Sequence, residues 1–270
     1  MSALARLAGF AVVLAALTGG GAVAGGLLDP AAPGGDAAAA DPMHGEGAMA
    51  PMAVRGLAIA QDGLRLAVAD TRLPRGETRE LRFRILDRAG RAVRAFDLEH
   101  TKRLHLIVAR RDLTGFQHLH PRMAPDGTWS TPLRLDAPGA YRLFADFSRD
   151  GRPVTLAADL FVDGAARWRA LPAPTSLART DGYDVRLARA GRELRFAISR
   201  GGRPVRPEPY LGAHGHLVAL RAGDLAFLHV HPSEDGGFET TFPTAGAYRL
   251  FLQFKHAGRV HTVAFTQEVR

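Results

Sequence analysis

From about Leu57 to the C-terminus, apolar and polar residues alternate in short runs separated by Gly, Pro and Asp. In "LRFRIL" the residues Leu81, Phe83 and Ile85 take one side and Arg82 and Arg84 the other; "AYRLFADFSRDGRPVTLAADLFV", from Ala140, continues the pattern. Residues two apart share one face of a pleated strand. Several such strands at regular spacing between turn residues predict an all-β sandwich. No stretch carries the 3.6-residue repeat of a helix. The expected fold is two tandem immunoglobulin-like or cupredoxin-like β-sandwiches, with a single continuous β-assembly as the alternative.

The pattern occurs twice. "ELRFRILDRAGRAVR" from Glu80 echoes "ELRFAISRGGRPVR" from Glu193, and "PGAYRLFADF" echoes "AGAYRLFLQF". The block between them aligns without a gap at an offset of 111 residues, pairing His105 with His216, His118 with His229, His120 with His231 and Pro121 with Pro232. Each copy has about the 100 residues of one sandwich domain. The expected domains are 55–166 and 180–270, joined by the Pro-rich "RWRALPAPTSLARTDG" from Arg167 to Gly182.

The duplicated block reads as a β-hairpin: strand "LHLIVA", loop "RRDLTG", strand "FQHLHP". A symmetric loop opposes Ile107 to His118 and His105 to His120, and in the second copy Val218 to His229 and His216 to His231. Three imidazoles then project from one face of neighbouring strands, where opposed residues stand about 4.5–5.5 Å apart. Neutral imidazole nitrogens in such an array are ligands for zinc or copper. The candidate ligands are His105, His118 and His120 in the first copy and His216, His229 and His231 in the second, each copy holding its own site. His214 joins the second row, and His100, whose counterpart is Leu211, stands beside the first. Because His105 shares a face with Ile107, the competing reading is that these histidines are packed core residues. Competition with protons places metal release between about pH 7 and 5, around the pKa of free imidazole. His256 and His261 flank a final hairpin turn and are expected to be exposed. Trp129, Tyr141 and Tyr248 read as sandwich packing.

Composition narrows the chemistry. The chain of 270 residues is 46% hydrophobic and 23% charged, an ordinary globular balance. It has no cysteine, which removes disulfides, thiolate metal sites and a cysteine nucleophile. Lys102 and Lys255 are the only lysines, so the net charge of +8 comes almost wholly from scattered arginines, and no nucleic-acid-binding motif accompanies them. There is no G-x-S-x-G elbow, phosphate loop or H-E-x-x-H helix. No catalytic residue and no organic cofactor is expected.

At the N-terminus Arg6 precedes the apolar run "LAGFAVVLAAL", and "AVA" from Ala22 offers a signal-peptidase site, so residues 1–28 read as a signal peptide or membrane anchor. Residues 29–54, rich in Ala, Gly and Pro, read as a flexible tether; its Met43, His44, Met49 and Met52 are soft donors suited to Cu(I).

The segments "EHTKRLHLIVARRDLTGFQHLHP" and "YLGAHGHLVALRAGDLAFLHVHP" resemble those of a family of exported two-repeat proteins from actinobacteria. The resemblance runs from about Ala58 to the C-terminus. Proteins of that family are labelled secreted or membrane proteins and sometimes heavy-metal binding, which implies export and paired β-sandwiches. The expectation is an exported, non-catalytic protein of the cell envelope that binds copper or zinc and exchanges it with envelope metal-transport proteins. It is secreted, or held at the extracellular face of the membrane where the N-terminal segment is uncleaved. A structural or adhesion module with packed histidines is the competing class.

Overall fold

A computed structural model describes residues 54–233 and 236–270. The leader and tether expected over 1–28 and 29–54 therefore lie outside the described residues, apart from Val54. The first repeat forms β1 (Ala60–Gln61), β2 (Leu64–Val68), β3 (Arg72–Leu73), β4 (Thr78–Leu86), β5 (His105–Arg110), β6 (Gln117–Leu119), β7 (Arg122–Met123), β8 (Trp129–Arg134), β9 (Gly139–Arg149) and β10 (Arg152–Val162). The second forms β11 (Leu177–Thr180), β12 (Tyr183–Ala190), β13 (Glu193–Arg200), β14 (Arg203–Pro204), β15 (His216–Arg221), β16 (Phe227–His229), β17 (His231–Pro232), β18 (Phe238–Glu239), β19 (Gly246–His256) and β20 (Arg259–Val269).

Each repeat is a sandwich of two sheets. In the first, β1-β2-β4-β8-β7 faces β3-β10-β9-β5-β6; in the second, β11-β12-β13-β18-β17, with β14 on β13, faces β16-β15-β19-β20. Alternation decides what each sheet buries inside. Leu81, Phe83 and Ile85 of β4 meet Leu106 and Val108 of β5 in one core, and Val185, Leu187 and Leu194 meet Leu217, Ala219 and Leu250 in the other. Trp129, Tyr141 and Tyr248 are buried in these cores, as the pattern predicts.

The opposite faces of β5–β9–β10 and β15–β19–β20 are not open to water. Ile107, Ala109, Phe144 and Ala157 from the first repeat and Val218, Leu220, Phe227 and Phe251 from the second form a third core. Ladder partners place these side chains in equivalent rows. Ile107, Phe144 and Ala157 make one row, matched by Val218, Phe251 and Ala264. Phe116 stacks on Phe251 with ring centroids 4.1 Å apart, and the equivalent pair, Phe227 and Phe144, lies at 5.5 Å. Each repeat thus offers the same patch to the other, as in a two-fold dimer interface joined in one chain.

The incoming segment seals this junction. Arg55 pairs with Phe227, the Gly56 amide donates to Thr155 O at 3.2 Å, and the buried Arg142 donates to Gly56 O at 3.1 Å and to Leu57 O at 2.6 Å. Gly56 has φ +70°, and a Cβ there would stand 2.8 Å from Phe144 and from Phe227, so both backbone and space demand glycine. On the far side the connecting segment is tied down. Arg110 ion-pairs with Asp112 and reaches Arg167 O at 3.0 Å, while Asp112 accepts the Arg169 amide at 3.0 Å.

Candidate metal centre

The histidines sit at one edge of the third core. The ladder opposes Ile107 to His118 and Val218 to His229, the register expected from a symmetric loop, but it stops before the expected His105–His120 and His216–His231 pairs, and His231 pairs with Glu239 of the other sheet. His105 pairs with Asp146, which pairs with Thr155; in the second repeat His216 pairs with Gln253, which pairs with Thr262. Both rows lie next to the Ile107 and Val218 rows, so His105 and His216 are turned toward the opposite sandwich. They are buried, though not inside either sandwich. They are 5% and 8% exposed in the junction between the repeats.

Nitrogens of His105, His118 and His120 all lie within 4.8 Å of one another. Ring centroids stand 5.2 Å apart for His105 and His118, 5.2 Å for His105 and His120, and 4.8 Å for His118 and His120. Imidazoles bound at 2.0–2.1 Å to one tetrahedral ion place their centroids about 5 Å apart, so this spacing suits a shared ion. The β6 ladder ends at Leu119, and His120 follows it where the chain leaves one sheet for the other.

Hydrogen bonds fix how the rings point. His118 Nδ1 lies 2.7 Å from Gln253 Oε1, and the Gln253 amide donates to Thr262 Oγ1 at 3.2 Å. His118 therefore donates through Nδ1 and turns an Nε2 lone pair inward. His105 Nε2 donates to Glu99 O at 3.1 Å, which leaves a lone pair on its Nδ1. Those two inward nitrogens face each other at 3.0 Å. Two lone pairs at that distance repel unless a cation lies between or beside them. Imidazoles whose far N–H is held by a carbonyl are oriented as metal ligands usually are. His120 Nε2 and His216 Nε2 are also buried and have no hydrogen-bond partner, an arrangement that costs about 1–3 kcal/mol per atom without a ligand.

All of this favours neutral rings. Burial, reinforced by His105 and His120, holds His118 well below the usual imidazole range. Burial and His105 lower His120 to about 4, and burial, His100 and His105 lower His216 to about 3. Folded imidazoles are thus ready as ligands well below pH 6.5, and proton competition shifts under the pH 7 to 5 window set by free histidine. A cavity of about 30 Å³ lies among His100, His105, His118 and His216, with the buried Asp146 carboxylate at its wall, room for an ion-sized occupant. Asp146 also accepts from Thr155 Oγ1 at 2.6 Å.

His100 is brought in by a strained turn. Glu99 and Lys102 exchange both backbone hydrogen bonds, and the central residues His100 and Thr101 have φ +46° and +69°. This two-residue form normally takes Asn-Gly, and a β-branched residue there is an outlier. The equivalent turn of the second repeat uses Leu211 and Gly212. The His100 ring lies 5.0 Å from His216 and 6.2 Å from His105.

The first-copy set and His100 thus come together, with His216 beside them. The side chains of His229 and His231 lie outside the described residues. His214 is exposed, with Nδ1 3.1 Å from Pro207 O, and is not among the histidines brought together. His256 and His261 do flank the β19–β20 turn but are not simply exposed. His261 is 5% exposed and 2.7 Å from Asp181 Oδ2, and His256 Nδ1 is 2.7 Å from the Tyr183 hydroxyl. Asp146 and Gln253 were not singled out from the sequence. Their signal was a polar residue in the same place in two otherwise apolar strands, "LFADF" and "LFLQF".

The chain matches the family described as "Domain of unknown function (DUF8832)" over residues 59–164 and again over 178–270. No curated protein matches it. Similar solved structures include the Escherichia coli adhesin FdeC, at 16% identity and TM-score 0.29, over 77% of this chain and 65% of that one. Escherichia coli alpha-2-macroglobulin activated by porcine elastase aligns at 14% identity and TM-score 0.29, over 76% and 20%. A two-domain fibronectin type-III segment of chicken tenascin aligns at 11% identity and TM-score 0.23, over 76% and 97%. This chain therefore spans less than two thirds of the first two. Among the described residues no helix is long and apolar enough to cross a membrane.

Proposed function

We propose that this chain, which belongs to the DUF8832 family, binds a copper or zinc ion through His105, His118 and His120, without catalysing a reaction. The observation that carries the reading is the pair of inward nitrogens of His105 and His118, 3.0 Å apart with their outer N–H groups held by Glu99 O and Gln253 Oε1. Nitrogens of all three histidines also converge within 4.8 Å, and the Nε2 atoms of His120 and His216 are buried without a hydrogen-bond partner, which packing alone does not call for. An all-nitrogen set of neutral imidazoles fits Zn(II) and copper and fits Mg(II) or Ca(II) poorly, since those prefer oxygen. The charged-then-apolar N-terminus "ARLAGFAVVLAAL" supports export, and with it a role in metal handling in the cell envelope in exchange with envelope metal-transport proteins. X-ray absorption at the zinc edge of the Zn(II)-loaded full chain tests the ligand set. A shell of nitrogens at about 2.0–2.1 Å with imidazole scattering is expected; a shell of oxygens alone favours the packed, structural reading.

A further inference from the structure

We propose that the ion at this centre is shared between the two repeats, with His216 as the ligand supplied by the second sandwich, so that metal binding locks the sandwiches together. This rests on the metal-binding reading above and adds to it the ligand that closes the site.

Four features converge on His216. It is 8% exposed, and its Nε2 is buried without a hydrogen-bond partner. Its ring lies 6.0 Å from His105 and 6.0 Å from His118, about 1 Å beyond the spacing of two ligands on one tetrahedral ion. It occupies in its repeat the ladder position that His105 occupies in the first, on the sheet that faces the first repeat. Finally, the second repeat already reaches across to the site, since Gln253 beside it orients His118.

Three histidines of one repeat leave a tetrahedral ion one position short. The cavity that adjoins them is walled on the second repeat's side by His216, Leu217 and Val218. His216 stands just outside the group of nitrogens that converge within 4.8 Å, so its ring turns inward when it joins the ion. The duplication then has a chemical use: two copies of one hairpin, docked face to face, let the second repeat complete the coordination that the first begins. Because the ion binds only the docked arrangement, it stabilises docking by mass action.

The test uses the full chain and Zn(II) or Cu(II) salts as probes. In wild-type protein, Cu(II) electron paramagnetic resonance should show coupling to four nitrogens, and Zn(II) should slow proteolytic cleavage in the connector 167–176. In His216→Ala, Zn(II) affinity measured by calorimetry should fall at least about tenfold, as it does even when only a supporting group is lost. The nitrogen count should drop to three, and the protection should disappear. His216→Asn, which keeps a polar side chain in the junction, should show the same losses if the alanine variant folds poorly. Wild-type affinity and undiminished protection in both variants would overturn the shared site while leaving the three-histidine reading intact. No ion uptake by wild-type protein would overturn both.

Discussion

Replacing His118 with alanine lowers Zn(II) affinity by at least about 100-fold, because this ring is one of the three whose nitrogens converge and is held in place by Gln253. It lies 5.2 Å from His105, 4.8 Å from His120 and 6.0 Å from His216, centroid to centroid, and its Nδ1 is held by the Gln253 side chain. Loss of a group that merely supports a ligand costs about 10–100-fold, so loss of a ligand itself should lie at or beyond the top of that range. The fold should survive. His118 is half-buried, and its removal strands the Gln253 carbonyl, a cost of about 1–3 kcal/mol within the range of ordinary point mutations. Calorimetric titration beside a circular-dichroism melt separates the two effects. A variant that folds and still binds Zn(II) as tightly as wild type would remove His118 from the ligand set.

Without metal the protein is expected to be acid-labile. His118, His120 and His216 have folded-state pKa values depressed below the unfolded value near 6.5, to about 4 in His120 and about 3 in His216, chiefly by burial. Between those limits the unfolded chain binds protons that the folded chain refuses. Stability is therefore fully present above about pH 6.5 and is lost as pH falls toward 4. The buried His216 imidazole adds a slope of at most about 1.4 kcal/mol per pH unit in that window, and the part-exposed His118 and His120 add less. Set against a total of about 5–15 kcal/mol for a folded domain, these contributions remove a substantial part of the metal-free chain's stability by about pH 4. Urea midpoints measured from pH 7 to 4.5 should fall steeply without metal and less steeply with saturating Zn(II), which competes for the same nitrogens. Midpoints flat across that range would mean the three rings are already charged or exposed in the folded chain.

The hairpin register was legible because period-two alternation and a symmetric loop leave little freedom. Ile107 opposes His118 and Val218 opposes His229, as the residues alone indicate. The duplication was equally plain. What sequence reading missed was that two faces, each assigned to its own site, are pressed together. The signal was present in "HLIVAR" and "HLVALR". Strands exposed on one side alternate, whereas these are apolar on both faces and buried along nearly their whole length, which marks a strand covered on both sides. Leu106 and Val108 serve the inner core while Ile107 and Ala109 serve the junction. The burial of His261 escaped notice for a related reason. Its partner Asp181 comes from a turn 80 residues earlier in the chain, a pairing that local pattern does not carry. The strained His100–Thr101 turn could not be anticipated either, since a β-branched residue such as Thr101 rarely adopts positive φ.

Stripped with a chelator and dialysed at about pH 7, where imidazole ligands are neutral, against micromolar Zn(II) or Cu(II), the full chain should retain a bound ion after excess metal is removed. The same treatment at about pH 3.5, below the folded range of His120, should leave none. Protein that emerges metal-free from both dialyses would contradict the metal centre and return its histidines to the role of packing between two sandwiches.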